Sequence, residues 1–129
     1  MKEIIRLVEN FHDSFSIKNN YQPTIVLSQE EITLRFNLMK EENEEYLDAA
    51  RNGDIIEVAD ALGDQLYILC GTILKHGLQD KILAVFEEIH RSNMSKLDEN
   101  GKPIFREDGK ILKSNLYFKP AIALVLESE

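Results

Sequence analysis

The sequence predicts an all-α fold: four main helices in an antiparallel bundle, followed by a small C-terminal β-hairpin. Three observations carry this reading. Apolar residues recur at helical spacing almost to residue 95. Ser, Asp and Gly stand where helices should start and stop. After Met94 the pattern gives way to short runs separated by Asn-Gly and Asp-Gly turn pairs.

Ile4, Leu7, Val8, Phe11 and Phe15 share a helical face, which predicts a first helix over about residues 2–16. The polar stretch Lys18-Asn19-Asn20-Tyr21-Gln22-Pro23 is a loop. Ser28-Gln29-Glu30-Glu31 fits a capping box and opens a helix running to about Arg51. Gly53 suits the position after that helix, and Asp54 caps the next, which extends to about His76 and ends at Gly77. A fourth helix, about 79–95, carries Ile82, Val85, Phe86, Ile89 and His90. Ile104-Phe105 and Ile111-Leu112 flank Glu107-Asp108-Gly109 and form the predicted hairpin. Pro120 either opens a short final helix through Leu126 or leaves that segment extended. There are no repeats or linkers, so residues 1–129 read as a single domain.

The formal net charge of −8 argues against a nucleic-acid polymer as partner, because a phosphate backbone calls for a basic face. A single nucleotide stays possible, since bound cations reverse the local field. The lone Cys70 lies in the most apolar helix and reads as a buried thiol. The start of the chain is amphipathic and acidic, unlike a secretory signal, and no run of 18 apolar residues exists. A cytoplasmic protein with no membrane span is expected.

The helix from Asp54 to His76 is apolar nearly all round, which predicts a buried helix. Yet Glu57, Asp60 and Asp64 fall in one stripe about 60° wide, and Gly71 and Lys75 continue it. On the preceding helix Glu42 and Glu45 project inside an apolar arc, Glu41 sits at its edge, and Glu44 and Asp48 point away. Inward carboxylates on two antiparallel helices suggest divalent cations between them, and hard oxygen ligands suit Mg²⁺ or Mn²⁺. The competing reading of Glu41-Glu42-Asn43-Glu44-Glu45 is solvated helix charge. Glu57 also has one, because it stands at N3 and can close a capping box with Asp54. Asp60 and Asp64 have none.

The spacing Glu42-x-x-Glu45 followed by Glu57-x-x-Asp60 resembles the E-x-x-E…E-x-x-D signature of the all-α nucleoside triphosphate pyrophosphohydrolase superfamily, which includes MazG-like and phosphoribosyl-ATP pyrophosphohydrolase-like proteins. The stretch EVADALGDQLY resembles its metal-binding helix. HRSNMSK and GKPIFREDGKILKSNLYFKP resemble the C-terminal part of the phosphoribosyl-ATP pyrophosphohydrolase-like branch. Family helices often carry Glu where this chain has Ala61, so the metal set stays open among Glu57, Asp60 and Asp64. The resemblance implies hydrolysis of a nucleoside triphosphate or related nucleotide between the α and β phosphates. Metal ions would neutralise phosphate charge and lower the pKa of an attacking water, with Glu41 or Glu45 orienting that water. Asn93, Lys96 and Lys113 are nucleotide-contact candidates by the same resemblance. Lys75 either meets phosphate or favours the negative end of its own helix.

So apolar a central helix should need a second subunit to cover it, giving a homodimer or homotetramer, and the resemblance agrees. Two other functions compete. Glu9-x-x-His12 and Glu87-x-x-His90 are the motif of ferritin-like di-iron bundles, although Glu9 lies outside the apolar arc of its helix. A catalytically silent binding bundle is the third. No Gly-rich phosphate loop, G-x-S-x-G or Cys/His pair occurs.

Overall fold

A computed structural model describes residues 1–128. The described residues form five helices and one two-stranded antiparallel hairpin. The chain divides into two compact units, Met1–Asp80 and Lys81–Glu129.

The first unit holds α1 (Lys2–Ser14), α2 (Gln29–Arg51) and α3 (Ile55–Lys75). Helix α3 is central and packs along α2 and against α1. The Ser28 hydroxyl accepts from the Glu31 N–H at 3.1 Å, and the Glu31 carboxylate returns the bond to the Ser28 N–H, so the predicted capping box is complete. Between α2 and α3 the chain reverses through Asn52, Gly53 and Asp54, with Gly53 at φ 67°. Asp54 accepts from the N–H groups of Ile56 and Glu57, each at 3.1 Å. Its own N–H already donates to the Ala49 carbonyl, so the Glu57 carboxylate is not needed to close a second capping box. A turn this short makes α2 and α3 antiparallel neighbours.

The core of this unit consists of Ile5 and Val8 from α1, Ala49 from α2, and Ala61, Cys70, Ile73 and Leu74 from α3. Burial raises the pKa of the Cys70 thiol, as befits a residue used for packing. The expectation that α3 is buried all round needs correction. Cys70, Gly71, Ile73, Leu74 and Lys75 at its C-terminal end are buried, but Ile55 and Ile56 are 75% and 77% exposed, and Leu62, Leu66 and Leu69 also face solvent. Two neighbouring helices cannot surround a third, and the side left open keeps its apolar residues.

The polar segment after α1 closes the end of α3. Asn20 N–H donates to the Leu74 carbonyl, the Asn20 side chain to the Lys75 carbonyl, and Thr24 N–H to the His76 carbonyl. These are carbonyls that a helix terminus leaves without intrahelical partners. Gly77 has φ 65°, and a Cβ there would sit 2.1 Å from the Gln22 carbonyl oxygen, so no other residue fits.

The second unit holds α4 (Ile82–Met94), strands β1 (Ile104–Phe105) and β2 (Ile111–Leu112), and α5 (Ile122–Glu127). Ile104 pairs with Leu112 and Phe105 with Ile111, with Gly109 at φ 88° in the connecting turn. The final segment is therefore the short helix rather than an extended tail. Its start is tied to α4 by Glu88, whose carboxylate accepts from the Ala121 N–H at 2.7 Å and from Arg91. The buried Ser92 hydroxyl donates to the Phe118 carbonyl at 2.8 Å, and the Arg91 guanidinium lies over the Phe118 ring.

His12 is 3% exposed, with Nδ1 2.6 Å from the Asn19 side-chain oxygen. Burial lowers its pKa below the ordinary 6.5; the Asn19 bond and Asp13 raise it, while the nearby cations Arg35 and Lys75 lower it. The fold thus favours neutral imidazole, whereas the unfolded chain takes up a proton near pH 6.5. Stability is lost as pH falls from 6.5 through the lower folded-state pKa. In chemical denaturation from pH 7 to 5, His12→Gln should lose less stability than wild type; equal losses would assign the acid sensitivity elsewhere.

Candidate metal centre

The helical hairpin of α2 and α3 assembles the carboxylates. Glu42 and Glu45, one turn apart on α2, meet Asp64 from the middle of α3. Each offers one oxygen, and these oxygens all lie within 4.8 Å of one another. Glu42 and Asp64 are half-buried, and Glu45 is exposed. Glu42 Oε2 is buried with no hydrogen-bond partner among the described residues, an arrangement that costs free energy unless a further group meets it.

The electrostatics agree with the geometry. Burial, followed by the adjacent Glu45 carboxylate and then Asp64 and Glu41, pushes the Glu42 carboxyl up to about 7. Burial, Asp60 and Glu45 raise that of Asp64. Carboxylates crowded in this way repel each other as anions, and a divalent cation between them reverses the sign of the interaction. The donor set is all oxygen, with no imidazole or thiolate, which fits a hard cation.

The other two acids of the spacing motif lie close by but outside this trio. Glu57 and Asp60 are exposed and line an open cleft of about 410 Å³ with Glu45, Asp48 and Asn52, over a floor that includes Ala49 and Ala61. Glu45 is common to both groups. Asp48, which its angular position on α2 assigned to the outside, lines this cleft, because the cleft opens sideways beside the turn. Glu41 is exposed and outside the trio, though its charge contributes to the raised Glu42 pKa. Beside the trio the Gln65 amide donates to the Asn43 side-chain oxygen at 3.0 Å, bridging α3 to α2. Two amides on facing helices carry no motif, so the sequence alone gave no sign of this bridge.

Lys75 is not brought to the carboxylates. It is buried, and its ammonium contacts Glu31 Oε2 at 3.1 Å and the Lys18 carbonyl at 2.7 Å. The remaining candidates belong to the second unit. Asn93 is exposed in the last turn of α4, Lys96 follows it half-buried, and the Lys113 ammonium lies 4.6 Å from the centre of the Tyr117 ring. Two of the four groups of the di-iron reading are engaged elsewhere: Glu9 accepts from the Tyr21 hydroxyl, and His12 faces Asn19.

A helical hairpin presenting clustered carboxylates from both arms defines an acidic all-α protein with three carboxylates that could hold a cation. The family model described as phosphoribosyl-ATP pyrophosphohydrolase matches residues 8–93, about two thirds of the chain. The chain belongs to that family, and its activity is that of a nucleotide pyrophosphohydrolase, a hydrolase. The match spans all five carboxylates and Asn93, while Lys96 and Lys113 lie beyond it. Comparison with curated proteins gives no match.

The raised Glu42 pKa sets a pH dependence. The unfolded carboxyl ionises near its ordinary 4.5 and the folded one near 7. Between these values only the folded state holds the proton, so metal-free protein should lose stability as pH climbs from about 4.5 to 7 and level off above. Glu42→Gln keeps the shape and removes the charge. It should flatten that slope, melt above wild type in EDTA at pH 7.5, and gain less from Mg²⁺. Parallel slopes for the two proteins would mean that the trio does not set the stability.

Proposed function

We propose that the chain hydrolyses a nucleoside triphosphate or related nucleotide between the α and β phosphates, with Mg²⁺ or Mn²⁺ at the α2–α3 carboxylates, releasing the monophosphate and pyrophosphate. The observation that carries the reading is the convergence of Glu42, Glu45 and Asp64 around a buried carboxylate oxygen that lacks a partner. The family match supports the reaction class. Glu42, Glu45 and Asp64 would hold one ion, and Glu57 and Asp60 would reach into the adjoining cleft, where Glu45 is available to both. A bound divalent ion supplies neutralisation of phosphate charge and a more acidic water. Glu45, exposed at the junction, is better placed than Glu41 to accept a proton from that water. Asn93, Lys96 and Lys113 are assigned to nucleotide contact through the resemblance of their stretches to the family. A cytoplasmic setting suits a nucleotide substrate, and no described helix is long and apolar enough to cross a membrane.

A nucleotide panel with Mg²⁺, Mn²⁺ or EDTA tests the reaction. Pyrophosphate and monophosphate should appear in equal amounts and only with metal. Orthophosphate as sole product, or full turnover in EDTA, would refute it. On the best substrate, Lys113→Ala should lower kcat/KM tenfold or more, about 1.4 kcal/mol; unchanged kinetics in both Lys96→Ala and Lys113→Ala would remove these lysines from the site.

We infer further that the exposed apolar face of α3 is covered by another copy of the chain. Leu62, Leu66 and Leu69, at i, i+4 and i+7 and so on one side of the helix, are each 42–49% exposed, an apolar stripe that a second subunit would take out of water. Sedimentation should give a dimer or tetramer at micromolar concentration, and Leu66→Glu should shift it toward monomer. A wild-type monomer would exclude the assembly.

A further inference from the structure

We propose that Arg35 is a positioning residue, whose side chain fixes the register of α2 on α3 and so lets Glu42, Glu45 and Asp64 converge. The proposal rests on the metal-site reading above. Arg35 is 7% exposed, in the second turn of α2. Its Nε donates to Thr72 Oγ1 at 3.1 Å and its Nη2 to the Ile68 carbonyl at 2.8 Å. Both acceptors belong to α3, and both are neutral. A buried guanidinium is costly unless an anion compensates it, and no ion pair forms at Arg35 among the described residues. Neither acceptor depends on it, because the Thr72 hydroxyl itself donates to the Ile68 carbonyl at 3.0 Å. The arginine is therefore not there to satisfy an orphaned group. What it adds is a two-pronged, directional link between the helices.

The sequence of α3 is shaped to admit that link. A Cβ at Gly71 would lie 2.5 Å from Arg35 Nη2 and 3.0 Å from His12 Nε2, so any side chain there would push the guanidinium off its present seat against the helix. The link also stands at a useful distance. Arg35 precedes Glu42 by two turns, about 10 Å of rise, and Ile68 and Thr72 follow Asp64 by one and two turns. A slip of one turn would move the helices about 5.4 Å past each other, more than the 4.8 Å that spans the carboxylate trio. Apolar contacts are non-directional and resist such a shift only weakly, whereas metal ligation tolerates deviations of about 0.2 Å.

The test compares wild type with Arg35→Met, which has similar length and no charge. The readouts are Mn²⁺ affinity by electron paramagnetic resonance, thermal melting in EDTA, and the nuclear Overhauser contact between the Asn43 and Gln65 side-chain amides. Arg35→Met should melt near or above wild type, because it removes an uncompensated buried charge. It should nevertheless bind Mn²⁺ at least tenfold more weakly and lose the Asn43–Gln65 contact. Unchanged affinity in a folded Arg35→Met protein overturns the proposal, and so does an affinity loss with the amide contact intact. If wild type takes up no Mn²⁺, the metal reading fails, and the amide contact alone decides whether Arg35 sets the register. If Arg35→Met does not fold, Thr72→Val decides: it removes one acceptor, keeps the side-chain shape, and should weaken Mn²⁺ about threefold.

Discussion

Mutual repulsion among carboxylates is the constraint on which the first unit depends. Glu42, Glu45 and Asp64 are held together in a chain that already carries a net charge of −8, so nothing electrostatic in the bare protein favours their meeting. They meet because other contacts leave α2 and α3 little freedom. The turn at Asn52–Asp54 makes the helices antiparallel, Ala49 and Ala61 pack at the turn end, and the buried C-terminal end of α3, with the Arg35 bonds to Ile68 and Thr72, anchors the other. The small side chains of Ala49 and Ala61 let the two backbones approach, as a site shared between helices requires. The preference of this pair for a cation is thus built by packing, with the charge itself as the load.

Much of the fold was legible because its signals are local. Ser28 with Glu31, Asp54, Gly53 and Gly77 each mark a boundary through bonds reaching no more than a few residues, and the helix ends fall within a few residues of where those signals put them. The acidic stripes were legible in the same way, since angular position follows from spacing. What spacing omits is the neighbour. An apolar circumference on α3 does not say how many elements surround it, and the structure leaves one side open. Lys75 lies on the same angular stripe as the acids, yet it is claimed by Glu31 and by a loop that returns from far earlier in the chain. Asp64 joins Glu42 and Glu45 while Asp60 does not, because convergence depends on where along the hairpin the helices are close, a quantity that a wheel does not contain.

In the second unit the organising groups are hydroxyls. Ser114 donates toward the carbonyls of Ser95 and Leu97, the Ser95 hydroxyl accepts from Phe118 N–H, and Ser92 holds the Phe118 carbonyl. These bonds tie the end of α4 to the strand-to-helix segment, so Asn93, Lys96 and Lys113 sit on one framework although twenty residues separate the first from the last. The small Ser side chains looked like ordinary loop composition in the sequence. Their role is visible only once the carbonyls they meet are in place.

The way residues 18–24 close the end of α3 fixes a length of chain. Three successive carbonyls, those of Leu74, Lys75 and His76, each take a donor from Asn20 or Thr24, and the Gln22 backbone is pressed against Gly77. One residue added or removed there would put every donor out of step at once. The tip of the β1–β2 hairpin has no such obligation, since Glu107, Asp108 and Gly109 are exposed and bonded only within their own turn. Two loops of similar polarity therefore differ in what they permit: the hairpin tip is free to change length, whereas residues 18–24 are held to the number of residues they have.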